Sequence, residues 1–428
     1  MKNSIHSLAL AAMLAGAGVT ATAQTQTTAQ APAPTQQKPS PAAALAVHID
    51  PVLQAALQEQ RIVGGVVVVA QQGRVLYQKA VGWADREARE PMATGTVFRL
   101  ASMSKPIVSA AAMRLVEQGK LDLDAPVTAY LPYFRPALAD GRMPAITIRQ
   151  LLTHTSGLGY GFAEGSDGAY VRLGISDGLD DSSGSLDENL RRLAKSTLYF
   201  EPGSQWRYSL SIDVLGAVVA KASGQPLPQA VQKLVTRPLA MRHTGFVAQG
   251  GDRLATPYAD GKPEPTRMFR NIEVLLPPGM GGAIRFAPQR AYDAQAFASG
   301  GAGMVGTAGD FLRLMETVRN GGGPLLKPHT VAAMVRDQVG PQAQTQGPGW
   351  GFGYGWAVLD DPAAAKTPQS RGTLQWGGAY GHNWFIDPAR GLSVVLLTNT
   401  AFEGMAGRLV PELRDAVYTG LQVAGAQE

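Results

Sequence analysis

Hydrophobic positions along this chain follow two different periods. Val-rich stretches at Gly65–Ala70 and Arg74–Val81 flank Gln71-Gln72-Gly73, which reads as two strands joined by a hairpin turn. A second strand cluster lies near the C-terminus. There Phe352–Leu359, Gly372–Trp376, Asn383–Ile386 and Leu392–Leu397 are short, aromatic or β-branched, and separated by Gly, Pro or Asp turns. Asp387–Gly391 supplies a hairpin loop between the last two. Trp350, Phe352, Tyr354 and Trp356 alternate along the first, which predicts packing on one sheet face, with a pocket wall as the alternative.

Between these ends the period becomes helical. Met103–Glu117, Leu186–Ala194, Ile212–Ala222, Leu227–Val235, Thr307–Arg319 and Lys327–Asp337 carry apolar residues at helical spacing. Gly224 and Gly321 stand where C-caps belong. Asp50–Gln60 and Gly404–Leu421 add helix-like segments at either end. Loops rich in Gly, Pro and Asp interrupt the middle at Gly157–Gly184 and Pro277–Pro288, as variable connections or as borders of a cleft. The expected fold class is α+β. An antiparallel sheet built from N- and C-terminal segments (about 46–120 and 340–428) carries flanking helices, beside a mainly helical lobe (about 121–339).

The N-terminus changes the picture of where the fold begins. Lys2, an apolar Leu8–Val19 and Ala21-Thr22-Ala23 match a secretory signal over residues 1–23, too short in its apolar part for a membrane anchor. Residues 24–45, rich in Gln, Thr, Ala and Pro, read as a disordered linker, so the folded domain is assigned to 46–428 and begins near Val47. A periplasmic or secreted bacterial protein is expected, with no membrane anchor in its mature form. The 428 residues include 38 Lys and Arg against 33 Asp and Glu, scattered without a basic run, which argues against a nucleic-acid or lipid partner. No Cys is present, which removes a thiol nucleophile, disulfides and lipid-modified cysteine. The six His residues are dispersed with no ligand spacing, so neither a metal nor another cofactor is expected.

Candidate chemistry concentrates at Ser102-Met103-Ser104-Lys105, ahead of an apolar helical run. At this spacing the Ser102 and Lys105 side chains share one helix face, about 5–6 Å apart at Cβ. A hydroxyl at a helix start lies near free N–H groups, and a partly desolvated amine beside it can accept a proton. A Ser N-cap with a solvated Lys explains the same pair. Two further segments bear on the choice: Tyr208-Ser209-Leu210 opens a helical run, and Trp376-Gly377-Gly378 closes a predicted strand. Alone, these read equally as a half-buried aromatic and a tight turn.

Taken together, in this order and at these separations, the three segments resemble the active-site motifs of the β-lactamase superfamily. That superfamily includes class C β-lactamases, D-alanyl-D-alanine peptidases and family VIII carboxylesterases. Leu151–Leu158 and Gly300–Met304 resemble supporting segments, and the likeness spans about residues 47–422. It implies Ser102 as acylated nucleophile, Lys105 as its proton partner and Tyr208 as base or relay, with Lys105 and Tyr208 acting as a coupled pair. It also implies an oxyanion hole from the backbone N–H groups of Ser102 and Ala379, and a substrate edge at Trp376, Gly377 and Gly378. His382 is a further candidate at that edge, or simply the first residue of the next strand. Two departures matter. Leu210 stands where β-lactamases and peptidases have Asn, and Trp376-Gly377-Gly378 replaces Lys or His followed by Thr-Gly or Ser-Gly. Both polar anchors for a β-lactam or peptide are therefore absent, as in the family VIII esterases. The expected function is a serine carboxylesterase acting on a small-molecule, short-chain ester. A β-lactamase or peptidase on the same machinery is the alternative, and a non-catalytic exported binding domain the more distant one.

Overall fold

The computed structural model describes Gly18 and residues 40–425, apart from 166, 182 and 183. The expected signal and the expected linker as far as residue 39 lie outside the described residues, Gly18 excepted. The linker's last six positions do not: helix α1 runs Pro41–Gln58, with Ser40 accepting the Ala43 N–H as its cap and Pro41 in the first turn. The fold thus begins earlier than the expected Val47. The Ala-Pro composition before Leu45 looks like low complexity, but Leu45, Ile49 and Leu53 form one apolar face. That face is buried with Leu409, Leu413 and Val417 of helix α5, Leu409–Gly425. Burial of this stripe, more than local propensity, holds the helix.

Eight strands make the main sheet: β1 Gly64–Gln71, β2 Arg74–Asp85, β3 Glu90–Pro91, β4 Trp350–Phe352, β5 Ala357–Leu359, β6 Leu374–Gly378, β7 His382–Asp387 and β8 Leu392–Thr398. Their order is β4-β5-β6-β7-β8-β1-β2-β3, every neighbour antiparallel, so the two ends of the chain meet at β8 and β1. The expected α+β sheet of N- and C-terminal segments is the one found. β1 is buried on both faces. Val67 and Val69 join the α1–α5 core, whereas Val66, Val68 and Ala70 join the larger core beneath the helical lobe.

The expected strand Phe352–Leu359 is two strands. The chain turns between them at Gly355, whose φ of +107° suits glycine. The four aromatics therefore do not form one row: Phe352 meets Trp206 and Trp376, while Trp356 meets Trp384. The expected C-terminal helix is also divided, into Glu403–Ala406 and α5. Pro277–Pro288 is not all loop either, since Ala283–Phe286 pairs with Ile272–Leu275.

Three helices matter for the site: α2 Ser104–Glu117, α3 Ser211–Ser223 and α4 Ala308–Arg319. α2 is buried over Ser104–Met113. A helix covered all round needs apolar or fully bonded residues at every position, which accounts for its run of Ile, Val, Ala and Met. Leu45→Ala should cost about 2–5 kcal/mol in urea unfolding. Val47→Ala, at a site 68% exposed, should change it by less than about 0.5 kcal/mol. Equal losses at the two positions would contradict the packing of α1 described here.

Candidate active site

The site begins with a strained turn. Ala101 has φ +45°, a left-handed conformation that a residue with Cβ adopts only when its surroundings impose it. Ala101–Met103 forms a short 3₁₀ turn and α2 starts at Ser104, so Ser102 precedes the helix proper. Strand β6 presses on this turn. A Cβ on Gly378 would lie 2.5 Å from the Leu100 carbonyl oxygen, so only glycine permits the approach. Among the described residues neither Ser102 N–H nor Ala379 N–H has a backbone or side-chain acceptor.

Tyr208 reaches the same point from another element. Its segment is tied to the loop after Leu152: Arg207 N–H donates to the His154 carbonyl and Leu210 N–H to the Gly159 carbonyl. The Tyr208 hydroxyl donates to Ser102 Oγ at 2.7 Å, and Lys105 Nζ donates to the same oxygen at 3.2 Å. Lys105 is buried, donates also to the Gly301 carbonyl at 2.8 Å, and lies 4.6 Å from the Tyr208 ring centroid. Trp376 Nε1–H points at the Tyr208 oxygen, 3.4 Å away. Lys105, three residues on, and Tyr208, 106 residues on, therefore converge on the Ser102 oxygen. Trp376 and Gly377 stand beside it, lining with Ser102 and Tyr208 a mostly apolar cleft of about 700 Å³.

Of the groups that support this geometry, His154 lies in the Leu151–Leu158 segment noted in the sequence, whereas Tyr160 and Asp213 carried no signal there. His154 packs at a tilt against Tyr208, ring centroids 4.9 Å apart, and accepts or donates through Nδ1 to Ser209 Oγ at 3.1 Å. Burial first, then the Lys105 charge, pushes it well below the ordinary His value, so it is neutral. Tyr160 closes the other side, 5.1 Å from the Tyr208 ring, and burial raises its phenol well above the usual range. Asp213 on α3 accepts the Ser299 hydroxyl at 2.5 Å, and burial raises its carboxyl. Ser299 Oγ in turn accepts the Ala302 N–H at 3.0 Å. Asp213 thereby braces the loop whose carbonyl holds Lys105. Tyr160 and Asp213 could have been singled out only as polar residues inside apolar runs.

A family model described as Beta-lactamase matches residues 49–418. The chain belongs to the beta-lactamase family. Esterase EstB of Burkholderia gladioli is 60% identical over 375 residues, which cover 87% of this chain and 95% of that protein. A solved structure described as EstCE1, a hydrolase with promiscuous acyltransferase activity, shares 54% identity at a TM-score of 0.87, over 88% of this chain and 99% of its own. Simvastatin synthase LovD of Aspergillus terreus, in a mutant form, shares the fold at 22% identity and a TM-score of 0.67, over 90% of this chain and 96% of its own.

Within this beta-lactamase-family chain, two expected substrate-edge residues stand elsewhere. His382 does not line the cleft. It is buried, bonded through Nε2 to the Arg99 carbonyl at 2.7 Å and stacked edge-on against Phe98. Strand alternation turns it inward, toward the Phe98–Arg99 segment. Gly378 is likewise covered, and serves the contact with Leu100. Leu210 is buried in the larger core, so no polar group replaces the missing Asn there.

Burial brings His382 down to about 4, so between about pH 6.5 and 4 the unfolded chain binds a proton at His382 that the fold does not. Its stability contribution is complete above about 6.5 and is lost as pH falls toward 4. Asp177, which accepts the Gly161 and Phe162 N–H groups, is pushed up by burial to about 7 and acts in the opposite sense. The test is therefore a difference. The unfolding free energy separating wild type from His382→Gln should shrink by on the order of 2–3 kcal/mol between pH 7 and 4.5. A gap independent of pH would show that His382 is not held neutral.

Proposed function

We propose that the protein is a carboxylesterase that hydrolyses short-chain esters through an acyl-enzyme on Ser102. The observation that carries this reading is the Ser102 hydroxyl held between Lys105 and Tyr208 at a mostly apolar cleft. The 60% identity to Esterase EstB supports an ester as the substrate class.

In this reading the phenol proton of Tyr208 resides on Lys105, and Tyr208, as phenolate, takes the proton of Ser102 as Oγ bonds to the ester carbonyl carbon. The Lys105 ammonium places positive charge beside both oxygens. The carbonyl oxygen, now negative, receives the N–H groups of Ser102 and Ala379. Collapse breaks the bond to the alcohol, which leaves with the proton from Tyr208. A water then gives a proton to Tyr208 and attacks the acyl carbon, and Ser102 Oγ departs with that proton. Lys105 and Tyr208 exchange charge as a pair, so the base is the pair. The neutral partners His154 and Trp376 fix the Tyr208 ring without adding charge. Leu210 and Trp376 at the two positions that anchor charged or amide-bearing ligands support a neutral ester over a β-lactam.

Ser102→Ala should lower turnover of p-nitrophenyl acetate by on the order of 10⁴-fold or more, and retained turnover would sink the acyl-enzyme reading. Nitrocefin should be hydrolysed more slowly than the best ester; the reverse order would make a β-lactamase of it. The signal pattern at residues 1–23 supports export to the periplasm or medium. Mature protein recovered from a bacterial host should then begin at Gln24, which N-terminal sequencing reads; an intact Met1 or Lys2 in all material would overturn export.

A further inference from the structure

The cleft continues past Ser102 to the opposite face of the sheet. β6 pairs with β5 only through Leu374 and Gln375, which leaves Trp376–Gly378 as a free edge. Trp376 stands on the Ser102 side of that edge. A Cβ built on Gly377 would lie 2.6 Å from the His382 carbonyl oxygen and 3.5 Å from Met405 Cγ, so the close strand contact requires glycine, and no side chain closes the passage toward Met405. Asn383 lies directly opposite Gly377 in the β6–β7 ladder, on the face it shares with Phe385 and opposite to Trp384.

Asn383 is 8% exposed, yet its side-chain amide makes no hydrogen bond to any described residue. It lines the cleft, as does Gln375, whose carbonyl accepts from Gln369 Nε2 at 3.0 Å while its own NH₂ has no partner. Neither amide has an enclosed polar atom left without a partner, so both open to the cleft, where a ligand group can take the place of water. The nearby cation, Arg408, is already paired with Glu59 and Glu412. What remains open to a ligand is a neutral set: one carbonyl acceptor and two NH₂ donors amid Met405, Val410 and Pro411.

We propose that Asn383, with Gln375, is a specificity-determining residue that reads a neutral secondary amide or similar donor–acceptor group on the acyl arm of the ester. This rests on the esterase reading above. The ester oxygen belongs at Ala379 N–H and the alcohol leaves toward Tyr208, so the acyl arm is the one that crosses Gly377. Gly377 lies two residues along the strand from Ala379, about 7 Å at the strand rise. The recognised group therefore sits some four to five bonds from the ester carbonyl, at about 1.5 Å per bond.

The test compares p-nitrophenyl 4-acetamidobutanoate with p-nitrophenyl heptanoate, which has the same chain length and no amide. Wild type should favour the acetamido ester in kcat/KM. In Asn383→Leu that ratio should fall by about tenfold or more, through KM more than kcat. The isosteric Asn383→Asp, which removes the NH₂ donors, should lower the ratio as well and decides the matter where the leucine variant fails to fold. The melting temperature of Asn383→Leu should hold, because the amide faces the cleft and makes no bond to a described residue; a structural asparagine would lower it. An unchanged ratio in the folded variants, with both esters turned over, overturns this inference and leaves the esterase reading standing. Wild type that turns over neither ester overturns both.

Discussion

The contact between Gly378 and the Leu100 carbonyl sets the distance between the two halves of the site. One half is the turn that carries Ser102; the other is the free end of β6, which carries Ala379. In the proposed mechanism the oxyanion hole needs both N–H groups aimed at one oxygen about 3 Å away, which requires the strand to approach the turn more closely than a side chain at Gly378 would allow. The left-handed Ala101 is the other side of the same constraint. It bends the chain so that Ser102 faces the strand before α2 begins. A strained residue of this kind persists only where packing on every side over-determines it, and Ala101 is fully buried.

Burying Lys105 is the next cost, and the structure meets it with several weak partners in place of a carboxylate at contact distance. The Gly301 carbonyl, the Ser102 hydroxyl and the Tyr160 and Tyr208 ring faces surround the ammonium. A direct ion pair would hold the proton on the lysine and blunt its exchange with Tyr208. Asp213 acts on the lysine through the loop that it braces by way of Ser299. His154 can sit against Tyr208 because burial and the lysine's own charge keep it neutral. The aromatic wall of Tyr160, Trp206, Phe352 and Trp376 excludes water from these interactions and so strengthens them.

The same sheet edge explains both the reactivity and the shape of the cleft. β5 stops pairing at Gln375, so the last residues of β6 have no neighbour and their polar backbone is left for a substrate. Trp376 narrows the Ser102 side while Gly377 leaves the way to Asn383 open. In the proposed mechanism a single Trp-Gly-Gly run holds the base in place, opens a passage and sets the oxyanion distance, one task to each residue.

How much of this was legible in the sequence depends on whether a property is local. The strand and helix periods, the spacing of Ser102 and Lys105, and the order of the three motifs are carried by short stretches, and each stands in the structure at or within a few residues of its expected place. The start of α1 was obscured because alanines before Leu45 have a face only once α5 covers it. The break at Gly355, the inward turn of His382 and the packing of His154 against Tyr208 depend on which strand or loop lies opposite. Composition does not specify that partner; a one-residue change of register would reverse each side chain's face. By itself, then, the sequence determined which residues could do chemistry and on which elements they ride. Only the tertiary structure decided that three of them meet at one oxygen, that His382 does not join them, and that Asn383 is left facing the cleft with its amide unpaired. Those outcomes rest on contacts between residues about a hundred or more positions apart, whose closure is stabilised by the packed core rather than by any local pattern.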